Sequence, residues 1–105
     1  MKYMIEYTIR DTGLTYEQNF ANRDALLKAF GTWKPEDGLN VQAFVSDLTS
    51  NGYVLVEAED PKVVASFVGK FVFWNDVRVK PVIDITEAVP IAGAALAWAR
   101  NAVHG

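Results

Sequence analysis

The sequence predicts an α+β domain: a four-stranded antiparallel sheet with two helices packed on one face. Three stretches point to it. Residues 2–10 alternate with a period of two, Tyr3, Ile5, Tyr7 and Ile9 facing one way and Met4, Glu6, Thr8 and Arg10 the other, which is the pattern of a half-buried strand. Residues 41–48 and 53–59 read as two more strands joined at Asn51-Gly52, and Asn-Gly between apolar runs is the strongest short-range hairpin signal because both central residues of a type I′ turn need positive φ. Asp60-Pro61 then opens a helix whose apolar residues recur at Val63, Val64, Phe67, Val68 and Phe71, one face of a 3.6-residue period. Asp60 suits the N-cap, and Pro61 suits the first helical position, where its missing N–H costs nothing.

The remaining elements fall in order around these. After residues 2–10, Asp11-Thr12-Gly13 breaks the strand. Residues 16–30 form a helix with Tyr16, Phe20, Leu27 and Phe30 near helical spacing; Glu17, Gln18, Arg23, Asp24 and Lys28 supply a wet face, and Gly31 is the expected stop. Residues 32–38, with Pro35 and Gly38, are a loop. In the hairpin, a two-residue turn places Leu48 opposite Leu55 and Ser46 opposite Glu57, whereas a longer loop through Thr49 and Ser50 changes that register. Residues 77–85 alternate again, and Pro81 within them marks an edge strand. The order β-α-β-β-α-β is the split, ferredoxin-like arrangement, with the first strand between the third and fourth, both helices on one face and the other face open. An open face in so apolar a chain is expected to meet something.

Residues 87–105 extend this core of residues 1–86 within one domain. Pro90 and a run of alanines predict a helix, with Ile91, Trp98 and Ala102 on one stripe and Val89, Leu96 and Val103 on another. A helix apolar around its girth is expected to dock on the rest of the fold or on a partner subunit. A membrane-surface helix would need a basic face, and only Arg100 is there to provide one.

Composition narrows the function classes. The chain has 105 residues, half of them apolar, a net charge of −3 and no cysteine. The acidic balance, with no Lys/Arg cluster, argues against nucleic acid. Without cysteine there is no thiolate chemistry and no zinc–sulfur site. Met1-Lys2-Tyr3-Met4 leads straight into a strand and lacks signal-peptide features, and no apolar run reaches the ~18 residues of a membrane span, so a cytoplasmic location without membrane partners is expected. The one histidine, His104, sits next to the end, where fraying is the rule and ligation the exception. No dinucleotide, P-loop or nucleophile-elbow pattern occurs, and no metal or cofactor is expected.

Met1-Lys2-Tyr3-Met4, the run Gly52 to Asp60 (GYVLVEAED), Trp74 and Lys80-Pro81-Val82 resemble a family of small bacterial proteins of unknown function. That family is similar to the dimeric α/β-barrel superfamily, and the resemblance covers residues 1–86. It implies a homodimer in which two ferredoxin-like sheets pack face to face. The superfamily includes cofactor-free monooxygenases, isomerases and haem-using enzymes. Where the family often carries a Trp-His pair in the second strand, this chain has Phe44-Val45, which removes the histidine such chemistry would use.

Two constellations are candidate sites. Tyr3, Tyr7, Phe20, Phe67 and Phe71 are expected to point between sheet and helices, with Trp74 nearby; as core they need no further explanation, and as a site Tyr3, Tyr7, Phe67 and Phe71 form a pocket for a flat apolar ligand oriented by a tyrosine hydroxyl. The resemblance puts the substrate cavity of related monooxygenases in that same space. Glu6, Glu57, Arg78 and Lys80 lie by alternation on the open sheet face beside Tyr53 and Leu55; they read as an interface charge network or, less simply, as the seat of a catalytic carboxylate. Nothing in the sequence fixes a reaction. The expectation is a small dimeric protein that binds an apolar or aromatic ligand between sheet and helices. The alternatives are a cofactor-independent enzyme of monooxygenase or isomerase type acting on a small aromatic substrate, and an interaction module using the C-terminal helix.

Overall fold

A computed structural model describes residues 1–105. In chain order the elements are β1 (Lys2–Ile9), α1 (Tyr16–Thr32), β2 (Asn40–Ser46), β3 (Asn51–Glu57), α2 (Pro61–Phe71), β4 (Asn75–Val82) and α3 (Ile85–His104). The four strands make one antiparallel sheet in the order β2-β3-β1-β4, the ferredoxin-like topology. The edge position of β4 explains how the sheet tolerates Pro81.

Registers fix which side chains share a face. Tyr3, Ile5 and Tyr7 lie opposite Val56, Val54 and Gly52 on β3, and opposite Pro81, Val79 and Val77 on β4. This is the helix-covered face. Ile5, Leu39, Val54, Val56, Ala58, Val64 and Phe67 are its buried centre. α2 begins as its sequence dictates: Asp60 is the N-cap, and its carboxylate accepts from the Lys62 N–H at 2.9 Å.

The hairpin turn is not at Asn51-Gly52. Both residues belong to β3, Ser46 pairs with Gly52, and Ala43 pairs with Leu55. The chain reverses through residues 47–50 instead. There the Asp47 carboxylate accepts from the Thr49 N–H at 3.0 Å and from the Thr49 hydroxyl, and Leu48 takes a left-handed φ of 72°. The side chain of Asp47 thus builds an Asx-type turn that competes with the Asn-Gly signal. These hydrogen bonds, the Thr49 hydroxyl first, hold the Asp47 carboxyl below its ordinary pKa. Gly52 serves a different purpose from the one its neighbour suggests. A Cβ there would clash with the Val45 carbonyl oxygen and the Tyr7 hydroxyl. The Tyr7 ring crosses over this glycine and donates its hydroxyl proton to the Val45 carbonyl at 3.0 Å.

α1 departs from expectation in two ways. Gly31 lies inside the helix, which runs to Thr32 and is closed by the Trp33 N–H donating to the Ala29 and Phe30 carbonyls. The stop comes from Pro35, which confines the residue before it to extended backbone. The helix is also rotated. Leu26 is its buried residue, while Tyr16 and Phe20 face outward and Leu27 is largely exposed. Asn19 and Arg23 turn inward because loop groups need them: the Asn19 carbonyl oxygen accepts from the Gly13 N–H at 2.7 Å, and Arg23 pairs with Asp11 at 2.9 Å.

β4 runs two to three residues earlier than its alternation suggests, and Ile85 begins α3. α3 does not dock on its own fold: none of its residues is buried. The molecule measures 66 × 31 × 22 Å and its radius of gyration is 18.9 Å, against about 13 Å for a compact chain of this length. Its accessible surface is 7690 Å², where a compact monomer of 11.7 kDa exposes roughly 5,900 Å². No helix is long and apolar enough to cross a membrane.

Candidate functional site

Between the sheet and the helices lies a cavity of about 220 Å³. Strand alternation supplies its floor: Ile5, Tyr7 and Ile9 from β1, Val54 from β3, Val77 from β4 and Phe44 from β2. Phe67, Val68 and Phe71 of α2 form one wall, and Leu26, Leu27 and Phe30 of α1 the other. Leu27, Phe30 and Phe44 are the lining residues most open to solvent, so they frame the mouth.

The aromatic rings form a continuous set. Trp33 stacks on Phe67 with centroids 4.8 Å apart, and Phe44 meets Phe30 edge-on at 5.4 Å and Tyr7 at 5.8 Å. Offset and edge-to-face pairs at these distances add roughly 0.5–1.5 kcal/mol each beyond burial.

Two polar side chains reach this apolar space. Tyr7 commits its proton to the Val45 carbonyl, and burial, with a smaller effect from the Asp47 carboxylate, pushes its pKa above the ordinary phenol value. Asn75 opens β4 and is 5% exposed, the one buried polar residue of the chain. Its side-chain N–H donates to the Phe71 carbonyl at 3.0 Å, satisfying the end of α2. Its Oδ1 is buried and has no hydrogen-bond partner. Leaving such an acceptor unpaired costs about 1–3 kcal/mol.

Of the residues expected here, Tyr7, Phe67 and Phe71 line the cavity. Tyr3 packs against the core on the same sheet face but outside the cavity, and Trp74 sits in the turn after α2, its ring beside Phe73. The sequence reading missed Asn75, Leu26 and Phe44. Phe44 faces inward because a register shift between Val41 and Ala43 reverses the alternation of β2. Asn75 carries no periodic signal; its position one turn past α2 was the only clue.

The charged set lies on the open face but does not form one network. The Lys80 ammonium approaches Glu6 at 3.4 Å, Glu57 accepts from Gln42 at 2.8 Å, and Arg78 lies opposite Glu6 in register without an ion pair. A pair the sequence did not suggest, Lys2–Asp84 at 2.8 Å, ties the start of β1 to the residue preceding α3. His104 is exposed in the last turn of α3, far along the chain from the cavity lining.

A family model described as a domain of unknown function, DUF3303, matches residues 1–96. The chain belongs to the DUF3303 family. The match spans the whole ferredoxin-like core of this DUF3303 protein, cavity included, and more than half of α3. Among solved structures, the crystal structure of SCO4226 from Streptomyces coelicolor A3(2) is similar at 16% identity with a TM-score of 0.39, covering 76% of this chain and 94% of that one. No curated protein matches the chain.

Proposed function

We propose that this protein binds a small, mostly apolar molecule in the cavity between sheet and helices, and that the ligand carries one hydrogen-bond donor for Asn75. The supporting observation is an apolar chamber lined in part by Asn75, a residue whose buried amide oxygen has no hydrogen-bond partner. Volume limits the ligand. An apolar cavity of ~150 Å³ takes benzene, and sites for drug-sized ligands begin near 300 Å³. At about 220 Å³ this cavity suits a single substituted ring. The orienting role expected of a tyrosine passes to Asn75, because the Tyr7 proton is already engaged.

The chemistry of the lining favours binding over proton transfer. Its polar side chains are a phenol, whose pKa is raised, and an amide. Neither is a base near neutral pH, and general-base catalysis needs a group poised near the working pH.

The open sheet face supports a second part of the proposal: two copies pair through it. Met4, Tyr53, Leu55 and Val82 lie there, with Tyr53 47% exposed, and the Glu6–Lys80 pair beside them would set register more than affinity.

The test of the ligand reading is a thermal-shift and calorimetric comparison of phenol, anisole and benzene. Phenol is expected to bind about tenfold more tightly than anisole, the equivalent of one hydrogen bond of ~1.4 kcal/mol. Val77→Phe, which fills the cavity, is expected to abolish the response. Equal binding of phenol and anisole removes the role of Asn75, and no response to any of the three removes the site.

A further inference from the structure

The feature least explained by the fold is α3. It has twenty residues and none is buried; Ile91, Leu96 and Trp98 are each more than 60% exposed. An isolated helix gains little stability in water, and most helices are held by packing of an apolar face.

The apolar residues of α3 follow a seven-residue repeat. Ala88, Ala95 and Ala102 recur at intervals of seven, and Ala92 and Ala99 interleave with them in alternating steps of four and three. Val89, Leu96 and Val103 run along one side of this alanine seam, Ile91 and Trp98 along the other. Thr86, Glu87, Ala94, Arg100 and Asn101 occupy the opposite arc. Steps of four and three are the spacing of a helix that meets another helix along a continuous seam. Alanines at the seam let two axes approach closely, and the larger residues on each flank close over the sides.

We propose that α3 packs along this seam against α3 of a second copy of the chain. A seam of one repeating composition is self-complementary, as a two-fold contact between identical surfaces requires. Area points to the same occupant. A 20-residue helix about 30 Å long and 10 Å wide offers a footprint of roughly 300 Å². The open sheet face, four strands of seven or eight residues, adds roughly 500 Å². Together they reach the ~800 Å² per partner of a stable interface, which neither supplies alone. A membrane surface suits α3 poorly, because its polar arc carries Glu87 and a single arginine, Arg100. The proposal extends the pairing of sheet faces and is independent of the ligand cavity.

Adjacent alanines provide the test. Ala94 and Ala95 are both exposed and helical, so Glu at either position meets the same helix propensity; only Ala95 lies on the seam. Sedimentation velocity is run on the full chain, on Ala94→Glu, on Ala95→Glu and on Leu55→Glu in the sheet face. The expected result is a dimer for the full chain and Ala94→Glu, and at least a tenfold weaker dimer for Ala95→Glu. Since the chain has no cysteine, Ala95→Cys is expected to cross-link between copies under mild oxidation and Ala94→Cys is not. A dimer broken by Leu55→Glu but untouched by Ala95→Glu overturns the α3 contact and leaves the sheet pairing standing. A dimer broken by Ala95→Glu but not by Leu55→Glu does the reverse. A monomeric full chain, or equal effects of Ala94→Glu and Ala95→Glu, overturns the α3 contact.

Discussion

Leu48→Asn is expected to stabilise the protein by about 1 kcal/mol. Leu48 is a branched residue at φ 72°, and left-handed backbone costs such a residue roughly 1–2 kcal/mol. Its side chain is 97% exposed, so replacing it forfeits almost no buried apolar surface. Asn tolerates this conformation through local hydrogen bonding, which relieves most of the cost. Leu48→Gly relieves the strain too but adds about 0.5–1 kcal/mol of unfolded-state entropy, so its gain is smaller. For a domain of this size, 1 kcal/mol moves Tm by about 5 °C. Urea midpoints for the three proteins give the values directly. The order Asn, Gly, Leu from most to least stable supports a reversal at residues 47–50. If both substitutions destabilise, residue 48 is extended, the turn lies at Asn51-Gly52, and the registers that place Phe44 and Tyr7 in the cavity wall are wrong.

Three further outcomes follow from the same geometry. Gly52→Ala is expected to cost about 3 kcal/mol in urea unfolding, from overpacking against Val45 and Tyr7 and loss of their hydrogen bond, whereas Gly31→Ala, whose Cβ meets nothing within 4 Å, is expected to gain about 0.5–1 kcal/mol. Asp60→Ala is expected to lower stability by about 1 kcal/mol, read from the urea midpoint, because it removes the cap bond to Lys62. Tyr7 holds its proton more tightly folded than unfolded, so its contribution is present below pH 10.0 and is lost as pH rises through its folded pKa; stability measured above pH 10 is expected to fall less steeply in Tyr7→Phe.

Much of the fold was legible because local and tertiary preferences agree. The alternation of β1, the Asp60-Pro61 start of α2 and the edge-strand proline at 81 each have one physical reading, and each appears in the structure. Where two local signals competed, the sequence misled. Asn51-Gly52 is a strong turn pair, yet Asp47 and Thr49 form the turn and Gly52 makes room for a tyrosine. α1 carries apolar residues on several sides, so its inward face was set by the loop groups that Asn19 and Arg23 bind. The site was half legible for the same reason. Tyr7, Phe67 and Phe71 follow from periodicity, but Phe44 depends on a register shift and Asn75 on a helix end, and neither leaves a repeating trace.

The central claim is that a donor-bearing ring occupies the cavity at Asn75. A phenol titration followed by the side-chain amide resonance of Asn75, with the methyls of Val68 and Val77, tests it directly. The predicted result is saturable shifts at all three, with the Asn75 shift absent when anisole replaces phenol. Shifts confined to α3 or the open sheet face, with Asn75 unmoved, would contradict it.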